Sequence, residues 1–199
     1  MSKGKYFSIL ETLQENTSKP TGLNDRVLLV DGLNTFIRAW AISPVTNDDG
    51  VHVGGISGTL LSIGYAIKNI RPTRVIICFD GKGGSQRRRK LFPGYKANRK
   101  PTSNLNRSFR GHVDKDAERQ NMRMQLGRLV NYMDNLPVSI LSMDNIEADD
   151  TIAYISKQVL PESQCFIMSS DKDFLQLVDK RIAVWSPTKK KLYFKSDVL

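Results

Sequence analysis

Three predominantly apolar runs in this chain each lead to an aspartate: RVLLVDG (26–32), RVIICFD (74–80) and CFIMSSD (165–171). A strand that is apolar at every position must be covered on both faces, as the strands of a parallel sheet are. The intervening segments carry helical periodicity. Leu33, Phe36, Ile37, Trp40 and Ala41 recur at helical spacing, as do Ile56, Leu60, Ile63 and Ile67 within Gly54–Ile70. Met122, Leu126, Leu129 and Met133 form the apolar stripe of a helix over Lys115–Leu136, which Pro137 stops. VSIL (138–141), RIAVW (181–185) and LYF (192–194) read as further strands. Ile146–Leu160 reads as a helix with acids in its first turn, and Phe174, Leu175 and Leu177 begin a short one. The alternation predicts an α/β fold: a mostly parallel central sheet flanked by helices on both faces.

The 199 residues suffice for one sizeable domain with its own core. Residues 1–25 read as a peripheral extension in which Tyr6, Ile9, Leu10 and Leu13 suit a short amphipathic helix. The first 26 residues hold no apolar stretch of secretory type, and no run is long enough to span a membrane. Cys78 and Cys165 both sit in apolar runs and read as buried thiols of a reducing cytoplasm. If the chain is phage-encoded, that compartment is the host cytoplasm. His52 and His112 have no cysteine or histidine at zinc spacing.

Charge is concentrated in one place. The net charge is +10, yet Lys82–Arg128 holds 14 Lys and Arg against Asp114, Asp116 and Glu118. From Lys82 to His112 there are ten basic residues and no acid. Ordinary surfaces mix signs, so an acid-free stretch of this length is the footprint of a polyanion. Gly81–Arg110 is also too long for a simple connection, which marks it as functional or flexible.

Against this stand seven carboxylates where strands end or helices begin: Asp31, Asp80, Glu147, Asp149, Asp150, Asp171 and Asp173. A single strand-end aspartate is ordinarily a helix cap. Three strands delivering one each to the same edge, where open parallel sheets bind ligands, exceed what capping needs. Glu147 and Asp150 share a helix face and repel unless a cation or water separates them. Asp171 and Asp173, two apart after a strand, aim into one site. Oxygen ligands without imidazole or thiolate select Mg²⁺, with Mn²⁺ able to substitute. Two such ions about 4 Å apart serve phosphodiester hydrolysis. The chain has no nucleophilic triad and no GxxxxGK[ST] loop, which argues against covalent catalysis and nucleotide-driven motors.

Six stretches carry a family resemblance: LLVDGLN (28–34), ICFDG (77–81), RRRKLFPGYKANRK (87–100), IEADDTIA (146–153), MSSDKDFLQL (168–177) and VWSPTKKK (184–191). EADD followed about twenty residues later by SSDxDF, with two upstream strand-end aspartates, is the specific combination. In this the chain resembles the metal-dependent 5′-nucleases of the flap endonuclease and 5′→3′ exonuclease superfamily, built on a PIN-like domain. Within that superfamily the pattern is closest to the RNase H group of T4-type bacteriophages. The resemblance implies a catalytic domain over 26–199 with a basic arch at about 81–118. It implies Asp31, Asp80, Glu147 and Asp149 around a first metal ion. Asp150, Asp171 and Asp173 would line the same pocket, the last two nearest a second ion. Arg88 and Lys96 match positions that contact the scissile phosphate, and with Asp31, Asp80 and Asp149 they form the expected catalytic set. Arg87, Arg89, Lys90, Tyr95, Arg99 and Lys100 would support backbone contact. Phe92 and Tyr95 are suited either to stacking on an unpaired base or to packing.

Expected substrates are DNA and RNA–DNA duplexes with 5′ ends or flaps, as in RNA-primer removal. Expected partners are replication proteins such as a single-strand-binding protein or a clamp, with no membrane. The family's Gly-Asp-x-x-Asp-Asn element and helix–hairpin–helix region have no counterpart before Leu199, so a further segment or another chain is expected to supply them. A single-strand PIN ribonuclease and a non-catalytic nucleic-acid-binding fragment are the alternative readings. A phosphotransfer or topoisomerase-type DxD site would leave Asp31 and Asp80 unexplained.

Overall fold

The computed structural model describes residues 22–95, 106–109, 111 and 114–198. The expected N-terminal helix, and Lys96, Arg99 and Lys100, lie outside them, as does the side chain of Arg87. Six strands form one sheet: β1 (Arg26–Asp31), β2 (Arg74–Asp80), β3 (Ser139–Met143), β4 (Gln164–Met168), β5 (Ile182–Ser186) and β6 (Lys191–Tyr193). Their order is β3-β2-β1-β4-β5-β6, parallel throughout except for the β5–β6 pair. Helices α1 (Gly32–Ile42), α2 (Gly54–Ile70), α3 (Gln86–Leu91), α4 (Lys115–Met133) and α5 (Ala148–Tyr154) connect them.

Alternation along the central strands sorts the core onto two faces. Leu28, Val30, Val75, Ile77, Phe166 and Met168 pack under Phe36, Trp40, Ile63, Ala66, Ile70, Leu129 and Met133. Val27, Leu29, Ile76, Cys78, Cys165 and Ile167 face Ala148, Ile152, Ile155 and Phe174 instead. Every one of these side chains is under a tenth exposed. At about 25 cal/mol per Å² of apolar surface, two covered faces are what hold a sheet with few polar positions in place. Both cysteines are free and buried.

Three expected boundaries shift, each for a local reason. The run expected as one helix from Ile146 begins at Ala148, because Glu147 is extended and the Ile146 carbonyl accepts from Gly81 N at 3.0 Å. It then changes winding, continuing as a π-helical turn over Ile155–Val159. Strand β4 stops at Met168, so Asp171 lies three residues past the strand and caps a 3₁₀ turn, Lys172–Leu177. Helix α4 ends at Met133, and the residue before Pro137 is not helical.

His52 is a core residue. It is 1% exposed, its Nε2 lies 2.7 Å from the Ser43 carbonyl oxygen, and its ring stacks on Phe109 at 4.9 Å. Helix α4 turns a second, polar stripe inward beside the apolar one: Glu118, Asn121 and Gln125 are all buried. Gln125 Oε1 accepts from Gly55 N at 2.8 Å and Ile56 N at 3.2 Å, completing the start of α2. Its Nε2 donates to the His52 carbonyl at 2.7 Å. Asn106 is tied to the same knot, donating from Nδ2 to the Trp40 carbonyl and from its backbone N to Glu118 Oε1 at 2.8 Å. The far foot of the basic segment is thereby fixed to α1 and α4.

Gln125→Ala should therefore cost about 3 kcal/mol in urea unfolding, since it leaves the Gly55 and Ile56 N–H groups without their acceptor. A change below about 0.5 kcal/mol, the level of an ordinary surface substitution, would show that the knot is dispensable.

Candidate metal and nucleic-acid site

The three central strands β2, β1 and β4 end side by side, which sets the positions of the acids. Asp31 closes β1 and is 6% exposed. Its Oδ1 caps α1, accepting from Asn34 N at 3.2 Å, and its Oδ2 accepts from Ser169 Oγ at 3.0 Å. Asn34 Oδ1 in turn accepts from Ser170 Oγ at 2.6 Å. The DGLN and SSD strings thus grip each other across β1 and β4. Neither Asn34 nor Ser169 was singled out as a site residue, although both stand inside the motifs that were.

Asp80 closes β2 and accepts from Ala148 N at 2.7 Å, which fixes the first turn of α5 over the strand end. Glu147 at the N-cap position is 2% exposed, Asp149 is half-buried and Asp150 is exposed. Asp171 accepts from Asp173 N at 3.0 Å and donates its own N–H to Ser169 Oγ at 3.1 Å. Asp31 and Asp171 therefore act as caps while also lining the edge.

Burial is the main cause that pushes the Asp31 carboxyl up, to about 6; the Asn34 and Ser169 hydrogen bonds oppose it, and the charges of Asp149 and Asp80 add to it. These three acids share one field. A cation placed beside such a carboxylate would favour its ionised form. Burial also pushes the neighbouring Cys78 thiol up to about 12, which removes it as a nucleophile at neutral pH.

The basic segment enters this site directly. Its near foot is stitched down where Gly81 leaves β2: a Cβ there would lie 1.7 Å from the Met143 carbonyl oxygen, so only glycine allows the crossing. Lys82 O accepts from Asn145 N at 2.9 Å. Helix α3 then carries Arg88 onto the acids. Its Nη1 pairs with Glu147 Oε2, and its Nη2 lies 2.6 Å from Asp150 Oδ1. Tyr95 OH donates to Glu147 Oε2 at 2.8 Å and accepts from Arg88 Nη1 at 2.9 Å. Burial works against the Arg88 charge, but Tyr95, Asp150 and Glu147 outweigh it and raise its pKa further. The separating cation that Glu147 and Asp150 require is thus a guanidinium. Of the two aromatic candidates, Tyr95 is engaged in this polar cluster and Phe92 is 64% exposed. Arg89 and Lys90 are exposed on the same helix.

Arg88, Tyr95, Asp149, Asp150 and Asp173 line a cleft of about 290 Å³ floored by Phe174 and Leu177. A larger cavity of about 510 Å³, between α1, α2 and the β5–β6 turn, contains no carboxylate. The donor set fits hard divalent ions in chemistry and in charge. As the side chains stand, no three acids among the described residues converge at ligating distance, and Arg88 occupies the space between two of them.

A family model for the 5′-3′ exonuclease N-terminal resolvase-like domain matches residues 26–199. The chain belongs to this family. It is 30% identical over 167 residues to a 5′-3′ exonuclease of Bacillus subtilis, covering 81% of this chain and 50% of that protein. It is 30% identical over 161 residues to the flap endonuclease Xni of Shewanella denitrificans, covering 80% and 55%. The chain therefore spans about half the length of these relatives. A bacteriophage T5 flap endonuclease solved with DNA and metal ions superposes with a TM-score of 0.63 at 21% identity, over 85% of this chain and 57% of that one. A T5 5′-exonuclease solved with bound zinc gives 0.64 at 19%, over 85% and 58%. Both likenesses establish the PIN-like nuclease fold.

The Asp31 field has a consequence for stability. The native state binds this proton more tightly than the unfolded chain, so the ionised form costs stability above about pH 6, and the cost is relieved as pH falls toward 3.8. A displacement of that size corresponds to about 3 kcal/mol. Asp31→Asn should thus raise stability by about 1–2 kcal/mol at pH 8 and by nothing below about pH 4. Thermal melts across that range check it; a gain independent of pH would contradict the assignment.

Proposed function

We propose that this chain is the catalytic domain of a metal-dependent 5′-nuclease that hydrolyses phosphodiesters at the 5′ ends of DNA or RNA–DNA duplexes and at 5′ flaps. The observation that carries the reading is the seating of a cation-rich segment on an edge of seven acids, with Arg88 joining the two. Asp31, Asp80, Glu147 and Asp149 are the residues that would hold a first Mg²⁺ or Mn²⁺ ion. Asp171 and Asp173 would hold a second, with Asp150 beside them. Such ions, when bound, lower the pKa of water and stabilise a leaving oxygen.

The chain's own residues supply the rest. The segment of about 81–118 acts as an arch that gathers the strand. Arg87, Arg89, Lys90, Arg99 and Lys100 attract the backbone by charge, and Arg88 with Lys96 holds the scissile phosphate. Asn34 and Ser169 keep Asp31 aimed into the edge. Strand-end burial keeps bulk water from screening the site. RNA-primer removal at a replication fork in a cytoplasmic compartment suits this chemistry, with single-strand-binding or clamp proteins as partners. Among the described residues no helix is long and apolar enough to cross a membrane.

A 5′-labelled flap duplex should yield short 5′ products with Mg²⁺ and none with chelator. Asp149→Asn combined with Asp171→Asn should lower that rate by at least about a hundredfold. Substrate that is retarded but uncut by the unaltered chain would favour the binding-fragment reading, in keeping with a chain half the length of its relatives. Unchanged cleavage by the double variant would overturn the assignment of these acids.

A further inference from the structure

Glu147 Oε2 receives two donors, Arg88 Nη1 and Tyr95 OH. A carboxylate oxygen has two lone pairs in the plane of the group, so this atom is fully engaged. Both donors come from the basic segment, whereas Glu147 and Asp150 stand at the head of α5. A carboxylate only 2% exposed must have a cation or several donors against it, since burying it bare is prohibitive. The guanidinium meets that need, bridging Glu147 and Asp150.

The same guanidinium is the natural partner of a phosphate, which it binds through the fork it now turns on the carboxylates. It cannot make both sets of bonds at once. We propose that Arg88 is an exchangeable counter-ion: without nucleic acid it closes the Glu147–Asp150 pair against divalent cations, and a phosphate in the cleft draws it away and releases the pair to a metal ion. Nucleic acid and metal then bind cooperatively through one side chain, each tightening the other by the same factor. The segment that recruits the substrate would thereby also delay loading of the metal site until substrate is present. This rests on the nuclease reading above, which supplies the metal and the phosphate.

Mn²⁺ binding to the whole chain, read from the free-ion paramagnetic resonance signal, tests the exchange without turnover. A short 5′-phosphorylated phosphorothioate oligonucleotide is the phosphate probe. Without it, Arg88→Gln should bind Mn²⁺ about tenfold more tightly than the unaltered chain, which is a coupling of ordinary allosteric size. Lys172→Gln removes an equal charge from an exposed position between Asp171 and Asp173, and should shift affinity by less than about twofold, as expected for a screened surface charge. The oligonucleotide should tighten Mn²⁺ binding in the unaltered chain and not in Arg88→Gln. If Arg88→Gln does not fold by circular dichroism, Arg88→Lys retains the charge but not the two-pronged bridge, and should show the same loss of coupling. Equal shifts in the Arg88 and Lys172 variants overturn the exchange and leave metal dependence standing. Absence of saturable Mn²⁺ binding in all the chains overturns both.

Discussion

Asp31 keeps a carboxylate almost wholly buried at the end of the central strand, flanked by two parallel strands that lead to acids of their own. Burial and the charges of Asp149 and Asp80 all oppose its ionisation, and only the Asn34 amide and the Ser169 hydroxyl favour it. Much of the surrounding architecture follows from managing that charge. The start of α1 is placed so that its first turn donates to Asp31, and the serines after β4 are turned toward β1. Helix α5 is seated by an aspartate from β2. Asp31 and Asp80 repel each other and yet each makes a bond that fixes an element, so the edge is held in part by the groups that destabilise it.

The layered fold was legible because parallel strands covered on both faces leave an unambiguous pattern. Several largely apolar runs admit few other arrangements, and the bounds of α2 follow from its periodicity and flanking loops. What escaped was set by contacts distant in sequence. The true end of β4 depends on pairing with β5, whose last partner for β4 is Trp185 opposite Met168. The late start of α5 depends on Gly81 capturing the Ile146 carbonyl. The inward polar face of α4 was hidden because Glu118, Asn121 and Gln125 are residues that ordinarily face water. They become core residues only because His52, Asn106 and the start of α2 bring matching donors and acceptors.

The site was legible to a similar depth. Residue types at strand ends identified the acids, and the acid-free stretch identified their basic counterpart. Helical spacing also indicated that Glu147 and Asp150 needed a cation or water between them, without saying which. That Arg88 fills the place follows from the path of the chain between Gly81 and Tyr95, which no periodicity encodes. The roles of Asn34 and Ser169 were hidden for a related reason: a small polar residue beside a strand-end acid looks like any turn former until its partner is known.

The basic segment is anchored at both described ends, by Gly81 and Lys82 at the strand edge and by Asn106 and Arg107 on the backbone of α1. An anchored loop of like charges is strained by self-repulsion, and that repulsion is eased when the loop lies on acids or on a polyanion. Among the described residues Arg88 pairs with Glu147 and Asp150, and on the proposed function a phosphate would compete for the same guanidinium. On that reading the Arg88 guanidinium would pass from carboxylate to phosphate, and the acids it leaves are those proposed to hold a divalent ion.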